Sequence, residues 1–193
     1  MESVVMKHYL NWCHFIIVIC CMGAIIGGID QRTKNALKVQ HVLRTIERHT
    51  PKSGGENLYE KVTQPELNDY IAYRLAREKQ SLVRKLDLDL LENNNVQGRL
   101  RLDAQQLNLG LLFGKVLDFD FEGTLHTKEG AGRLDLAALR LNGQPIKSQM
   151  LDLVLRAVSA YYGTELGRID DWYKLPKGVK QIIVHQGWAD VFY

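Results

Sequence analysis

The sequence predicts an α+β fold: an N-terminal transmembrane helix, then a curved antiparallel sheet of six or seven strands wrapping one or two helices. Three observations carry that expectation. Residues 12–29 form an unbroken apolar run, the apolar spacing changes from 3.6 to 2 beyond residue 80, and helical spacing returns near residue 148.

The apolar run reads WCHFIIVICCMGAIIGGI, from Trp12 to Ile29, with His14 as its one ionisable group. At ~1.5 Å per residue a helix of this length is about 27 Å long, close to the ~30 Å hydrocarbon layer. A buried core helix of a soluble protein would carry a polar stripe, and this segment has none. An uncleaved signal anchor fits better than a cleaved leader, because Lys7 is opposed by Glu2 and the small-residue rule is met only loosely around Cys21–Gly23. Counting Arg32, Lys34 and Lys38 against Lys7 places the rest of the chain in the cytoplasm, but long domains cross largely regardless of such counts. The chain therefore divides into an anchor at 1–29, a juxtamembrane helix and linker at 30–56, and an α+β domain at 57–193.

Cys13, Cys20 and Cys21 all lie within or beside the anchor, so the domain has no disulfide framework, zinc site or cysteine nucleophile. The net charge of +3 is dispersed and forms no basic stripe with interleaved aromatics, which argues against nucleic acid as a partner.

After the anchor, Leu37, Val42, Leu43 and Ile46 recur at helical spacing, as in a stalk, until Thr50-Pro51-Lys52-Ser53-Gly54-Gly55 breaks the pattern. Thr63 and Glu66 form a capping box ahead of Leu67, Tyr70, Ile71 and Leu75, so a helix runs to about Glu78. Leu86, Leu88 and Leu90 then alternate with charged residues, as do Leu100 and Leu102. A hairpin centred on Asn94 pairs Asp87 with Arg101 and Asp89 with Arg99 on one face, and Leu88 with Leu100 on the other. The acids of this face are thus solvated partners of arginines rather than catalytic carboxylates.

Alternation resumes over Leu107–Leu111 and Leu117–Leu125, turns at Lys128–Gly132, and slips by one residue at Ala137-Ala138, the mark of a bulge. Asn142-Gly143 turns the chain again. A second helix, Ser148–Tyr162, buries Leu151, Val154, Leu155 and Val158 between an N-cap at Ser148 and a C-cap at Gly163. A final hairpin turns at His185–Trp188.

No catalytic site is legible. His126 and His185 lack metal-ligand spacing, and neither a nucleophile elbow nor a phosphate loop is present. No cofactor or metal is expected. The feature that exceeds simple alternation is the crowding of large apolar residues between Leu107 and Phe121. Leu107, Leu109, Leu111, Phe113, Leu117, Phe119 and Phe121, with Leu155 on the second helix, are the candidate lining of a hydrophobic ligand site. Ordinary core accounts for the same residues equally well.

The segments VTQPELNDYIAYRL, LNGQPIKSQMLDLVL and LPKGVKQIIVHQGWADVF, set around a leucine-alternating meander, resemble bacterial membrane-anchored proteins of the tubular lipid-binding (TULIP-like) and AsmA-like kind. The resemblance covers 57–193 and rests on motifs that carry architecture rather than chemistry. It implies a non-enzymatic domain on the extracytoplasmic side of the inner membrane, which binds or transfers membrane lipid. The alternative is a single-pass envelope assembly or scaffolding protein whose apolar face binds a protein partner in the same membrane.

Overall fold

The computed structural model describes residues 30–48, 58–78, 81–107, 114–163, 167–168 and 171–193. The expected anchor at 12–29 and the linker at 50–56 lie outside the described residues. Among the described residues no helix is long and apolar enough to cross a membrane.

The chain is α+β, as its alternating periods require. Three helices accompany a curled antiparallel sheet that forms a half-barrel. In order the elements are α1 (Gln31–Arg48), β1 (Tyr59–Thr63), α2 (Gln64–Leu75), β2 (Val83–Leu90), β3 (Asn95–Asp103), β4 (Val116–Lys128), β5 (Ala131–Leu141), β6 (Gln144–Pro145), α3 (Ser148–Tyr162), β7 (Tyr173–Lys174), β8 (Gln181–His185) and β9 (Trp188–Phe192). Strands β2-β3-β4-β5-β6 form the larger sheet, with β7 also on β5, and β1-β9-β8 form a second, three-stranded sheet.

Local chemistry places most boundaries. The capping box is present, with the Thr63 N–H donating to the Glu66 carboxylate at 2.9 Å, and Pro65 occupies the helix's first turn. Helix α2 ends at Leu75, one turn before the expected Glu78. Helix α3 has the expected bounds and its Gly163 C-cap is left-handed, at φ 64°, but its N-cap is Lys147 rather than Ser148. The turns at Asn93-Asn94, Glu129-Gly130 and Asn142-Gly143 all carry paired positive φ angles, the conformation that suits the right-handed twist of a hairpin. The expected slip in β5 is a bulge: Glu122 opposes Ala138 and Gly123 opposes Leu136, leaving Ala137 between them. At that bulge a Cβ on Gly123 would sit 2.6 Å from the Asp135 carbonyl oxygen, so glycine is required by close backbone approach.

The β2–β3 register differs from the expected one by two residues. Asp87 faces Arg99, Leu86 faces Leu100 and Leu88 faces Gly98, because the hairpin centres on Asn93 rather than Asn94. The buried face is nevertheless the expected one, since a shift of two preserves side-chain parity. The arginines of β3 take their acids mainly from β4: Arg101 bonds Asp118 at 2.7 Å, and Arg99 lies 3.8 Å from Asp120. Pairing β3 with β2 alone overlooked that β3 is an interior strand with two neighbours.

Helix α1 is not a free stalk. Ala36, Val39, Val42 and Ile46 are buried with Val62, Tyr70, Leu175, Val179 and Val191, so α1 packs against α2 and the closing hairpin. Asn35 donates to Asp69 at 2.7 Å, and Lys38 bonds Glu66 at 2.6 Å. An apolar stripe at this spacing requires a partner, and the rest of the domain supplies it. The packed body therefore begins near residue 30, not 57.

Helix α2 also closes the sheet's outer edge. The Asn68 amide donates to the Leu88 carbonyl at 2.8 Å and accepts from the Leu88 N–H at 2.9 Å, as a neighbouring strand would. Gln64 accepts from the Leu90 N–H at 2.8 Å. At the other junction Asn94 accepts from the Val184 N–H at 2.7 Å, and the Thr127 hydroxyl exchanges two hydrogen bonds with Ile182. Side chains thus join the two sheets alongside single backbone bonds, the Asn94 N–H to the Val184 carbonyl at 3.2 Å and the Gly187 N–H to the Leu90 carbonyl at 2.9 Å.

Candidate functional site

The concave face of the half-barrel is built by strand alternation. Leu86, Leu88 and Leu90 of β2, Val96, Leu100 and Leu102 of β3, and Leu117 and Phe119 of β4 point inward, and charged residues point out. Helix α3 lies over this face with Leu151, Val154, Leu155 and Val158 buried in the same cluster.

Five of the eight candidate lining residues meet here. Leu107, Leu117, Phe119 and Leu155 are buried in one cluster, and the partly buried Phe121 packs against it. Leu107 sits in the turn after β3 rather than on a strand. Leu109, Leu111 and Phe113 lie outside the described residues. Leu117 and Phe119 are 0% and 3% exposed, so in this conformation both serve as core.

Two further features were not read from the sequence. Met150, Leu153 and Tyr161 are exposed apolar residues on the flank of α3, beside its buried stripe. The signal was present as apolar residues outside the buried stripe, but burial direction cannot be assigned without the sheet. The second feature is a cleft of about 240 Å³ between the end of α2 and the start of β2. Leu75, Val83 and Leu86 lie along it, with Glu78, Arg84 and Lys85 around them.

The polar groups are paired off on the outer surface. Arg84 beside Asp103 holds that carboxyl below its ordinary value, against the opposing effect of burial. The Arg101 guanidinium is held above its ordinary value by its hydrogen bond and charge contact with Asp118. At Glu66 burial pushes the carboxyl up, but Lys38 together with the Thr63 N–H and hydroxyl outweighs it, and the net shift is downward. Burial raises the Tyr162 hydroxyl. His126 lies 3.2 Å from Asp135 and His185 3.1 Å from Asp190, each on a separate sheet face. Among the described residues no group of three His, Cys, Asp or Glu is placed to hold a metal ion.

No family model, curated protein or solved structure matches the chain.

Proposed function

We propose that this protein is a lipid-binding domain rather than an enzyme, tethered by residues 12–29 to the inner membrane with the domain on the extracytoplasmic side. The acyl part of a membrane lipid, bound or in transfer, sits between the half-barrel and α3. The observation that carries this reading is α3 itself, a helix with a buried apolar row toward the concave sheet and further apolar residues, Met150, Leu153 and Tyr161, exposed along its flank. A helix fixed permanently in a core needs only the first row. One that lifts to admit an acyl chain keeps apolar surface beyond the buried row. Leu117, Phe119, Phe121 and Leu155 would then line the ligand.

The test is mass spectrometry of organic extracts from the full-length protein purified from membranes, with uptake of a fluorescent fatty acid as a second readout. A stoichiometric lipid, displaced by the probe, is the expected result. Absence of both lipid and probe uptake would overturn the reading. Protease cleavage of the domain in spheroplasts reports the side of the membrane.

The exposed row also favours a second reading, an assembly protein that docks Met150, Leu153 and Tyr161 on a protein partner in the same membrane. Leu153→Asp would then remove a constant co-purifying partner while leaving lipid content unchanged.

A further inference from the structure

One end of the domain gathers features that the fold did not need to place together. The contacts Asn35–Asp69 and Lys38–Glu66 run in opposite chain directions, so the first turn of α1 lies beside the last turn of α2. The Tyr162 hydroxyl accepts from the Leu82 N–H at 3.4 Å, which brings the last turn of α3 to the same place. The cleft between α2 and β2 opens there as well, from Ala72–Glu78 across to Ser81–Asp87.

The residues at this end have the composition of a bilayer interface. Arg32, Lys34, Arg74, Arg77, Arg84 and Lys85 outnumber Asp30, Glu78, Asp87 and Asp103. Tyr73, Tyr161 and Tyr162 supply rings with polar tips: Arg77 lies 4.0 Å over Tyr73, and Tyr161 meets Tyr162 edge-on at 5.1 Å. Helix α1 begins at Gln31, immediately after the apolar segment that ends at Ile29. The opposite end, where Gly178 packs against the Ile46 carbonyl, is at the far terminus of the same helix.

We propose that this end of the domain faces the bilayer, its cations against anionic headgroups, and that the α2–β2 cleft is the entrance through which an acyl chain reaches the core. Leu75 and Leu86 belong both to the cleft and to the apolar cluster under α3, so the path from the entrance is apolar. The inference rests on the membrane-anchored lipid-binding reading and adds the orientation and the point of entry. Basic residues at a helix C-terminus also complement its dipole, and Arg74 in the last turn of α2 and Arg77 just beyond it serve both purposes.

The test uses the full-length chain with Cys13, Cys20 and Cys21 changed to Ala, which leaves no native thiol. A single cysteine is introduced as Glu78→Cys, Ala160→Cys or Lys177→Cys and labelled with bimane. The protein is then reconstituted in vesicles of phosphatidylglycerol and phosphatidylcholine carrying a headgroup nitroxide. Quenching at positions 78 and 160 at least twofold stronger than at 177 is expected. Equal or stronger quenching at 177, or none at any position, would overturn the proposal. In the position-78 protein, Lys34→Glu with Arg77→Glu should weaken quenching at low salt, since each cation near an anionic surface contributes about fivefold to association. The loss should disappear in pure phosphatidylcholine; an equal loss in both vesicles would count against headgroup recognition. Lipid extraction is blind to orientation. A chain that carries lipid but is quenched at 177 thus overturns this inference alone, and one without lipid but quenched at 78 overturns the acyl-binding reading and the entrance with it, leaving the orientation.

Discussion

The ring of Phe121 occupies the space that a side chain at Gly98 would need. The two residues are directly paired across β3 and β4, and a Cβ on Gly98 would lie 2.6 Å from Phe121 Cε1, closer still to Cζ, and 3.0 Å from Leu88 Cδ2. The absent side chain lets three strands bring large apolar groups together where the sheet curls. Gly98→Ala should therefore cost about 1–3 kcal/mol, the usual range for overpacking. Phe121→Leu in the same chain should recover part of that loss, because the obstruction is a ring rather than backbone. Urea denaturation of the two single variants and the double variant measures the coupling, and strictly additive losses would contradict the contact.

The interior position of β3 makes the second prediction. Exchanging Arg101 and Asp118, as Arg101→Asp with Asp118→Arg, should restore most of the small stability lost in either single variant. Exchanging Asp87 with Arg101 should restore none, since these residues are not opposite one another. Thermal melts at low ionic strength distinguish the two cycles.

These strands show where the sequence was legible. Parity alone assigned Leu86, Leu88, Leu100 and Leu102 to the core and located the bulge at Ala137-Ala138, and turn residues located Asn142-Gly143. Register required knowing that Arg99 and Arg101 have two neighbouring strands to choose between, which a local pattern does not contain. The docking of α1 was hidden for a similar reason: a stripe such as Ala36, Val39, Val42 and Ile46 says that a helix needs a partner, not which one. The candidate lining was legible as apolar surplus. Its division between core and groove depends on how α3 sits, and spacing is silent on that.

Helix α1 is an integral part of the fold, and truncation should reveal it. A fragment beginning at residue 50 should be less stable than one beginning at 30 and should bind an apolar dye at the uncovered cluster. Ile46→Ala, at a position 1% exposed, should cost about 2–4 kcal/mol in the longer fragment. Equal urea midpoints for the two fragments would show that α1 contributes nothing.

Acid should loosen the same contact. The Glu66 carboxyl is held below its ordinary value near 4.5 in the folded chain, so its contribution is present above that pH and is lost as pH falls through the lower folded value. Glu66→Gln should lower stability at pH 7 and narrow the difference from the wild type toward pH 3. Denaturation midpoints across that range would show parallel curves if Glu66 were unshifted.

Replacing Asn68 with Ala removes both side-chain bonds to Leu88 and leaves a strand N–H and carbonyl without their partner. A loss of about 1–3 kcal/mol is expected, together with faster amide exchange at Leu88.

The same substitution of side chain for strand governs how copies of this protein can crowd. An open sheet edge is a template onto which another chain adds a strand, and crowded copies would zip edge to edge into fibres. Along β2, where Asn68 and Gln64 occupy the hydrogen-bonding positions at Leu88 and Leu90, that route is blocked by side chains, in addition to the charges of Arg84, Lys85, Asp87 and Asp89 on the strand itself. Neighbouring molecules can then lie flank to flank at high density without polymerising through this edge.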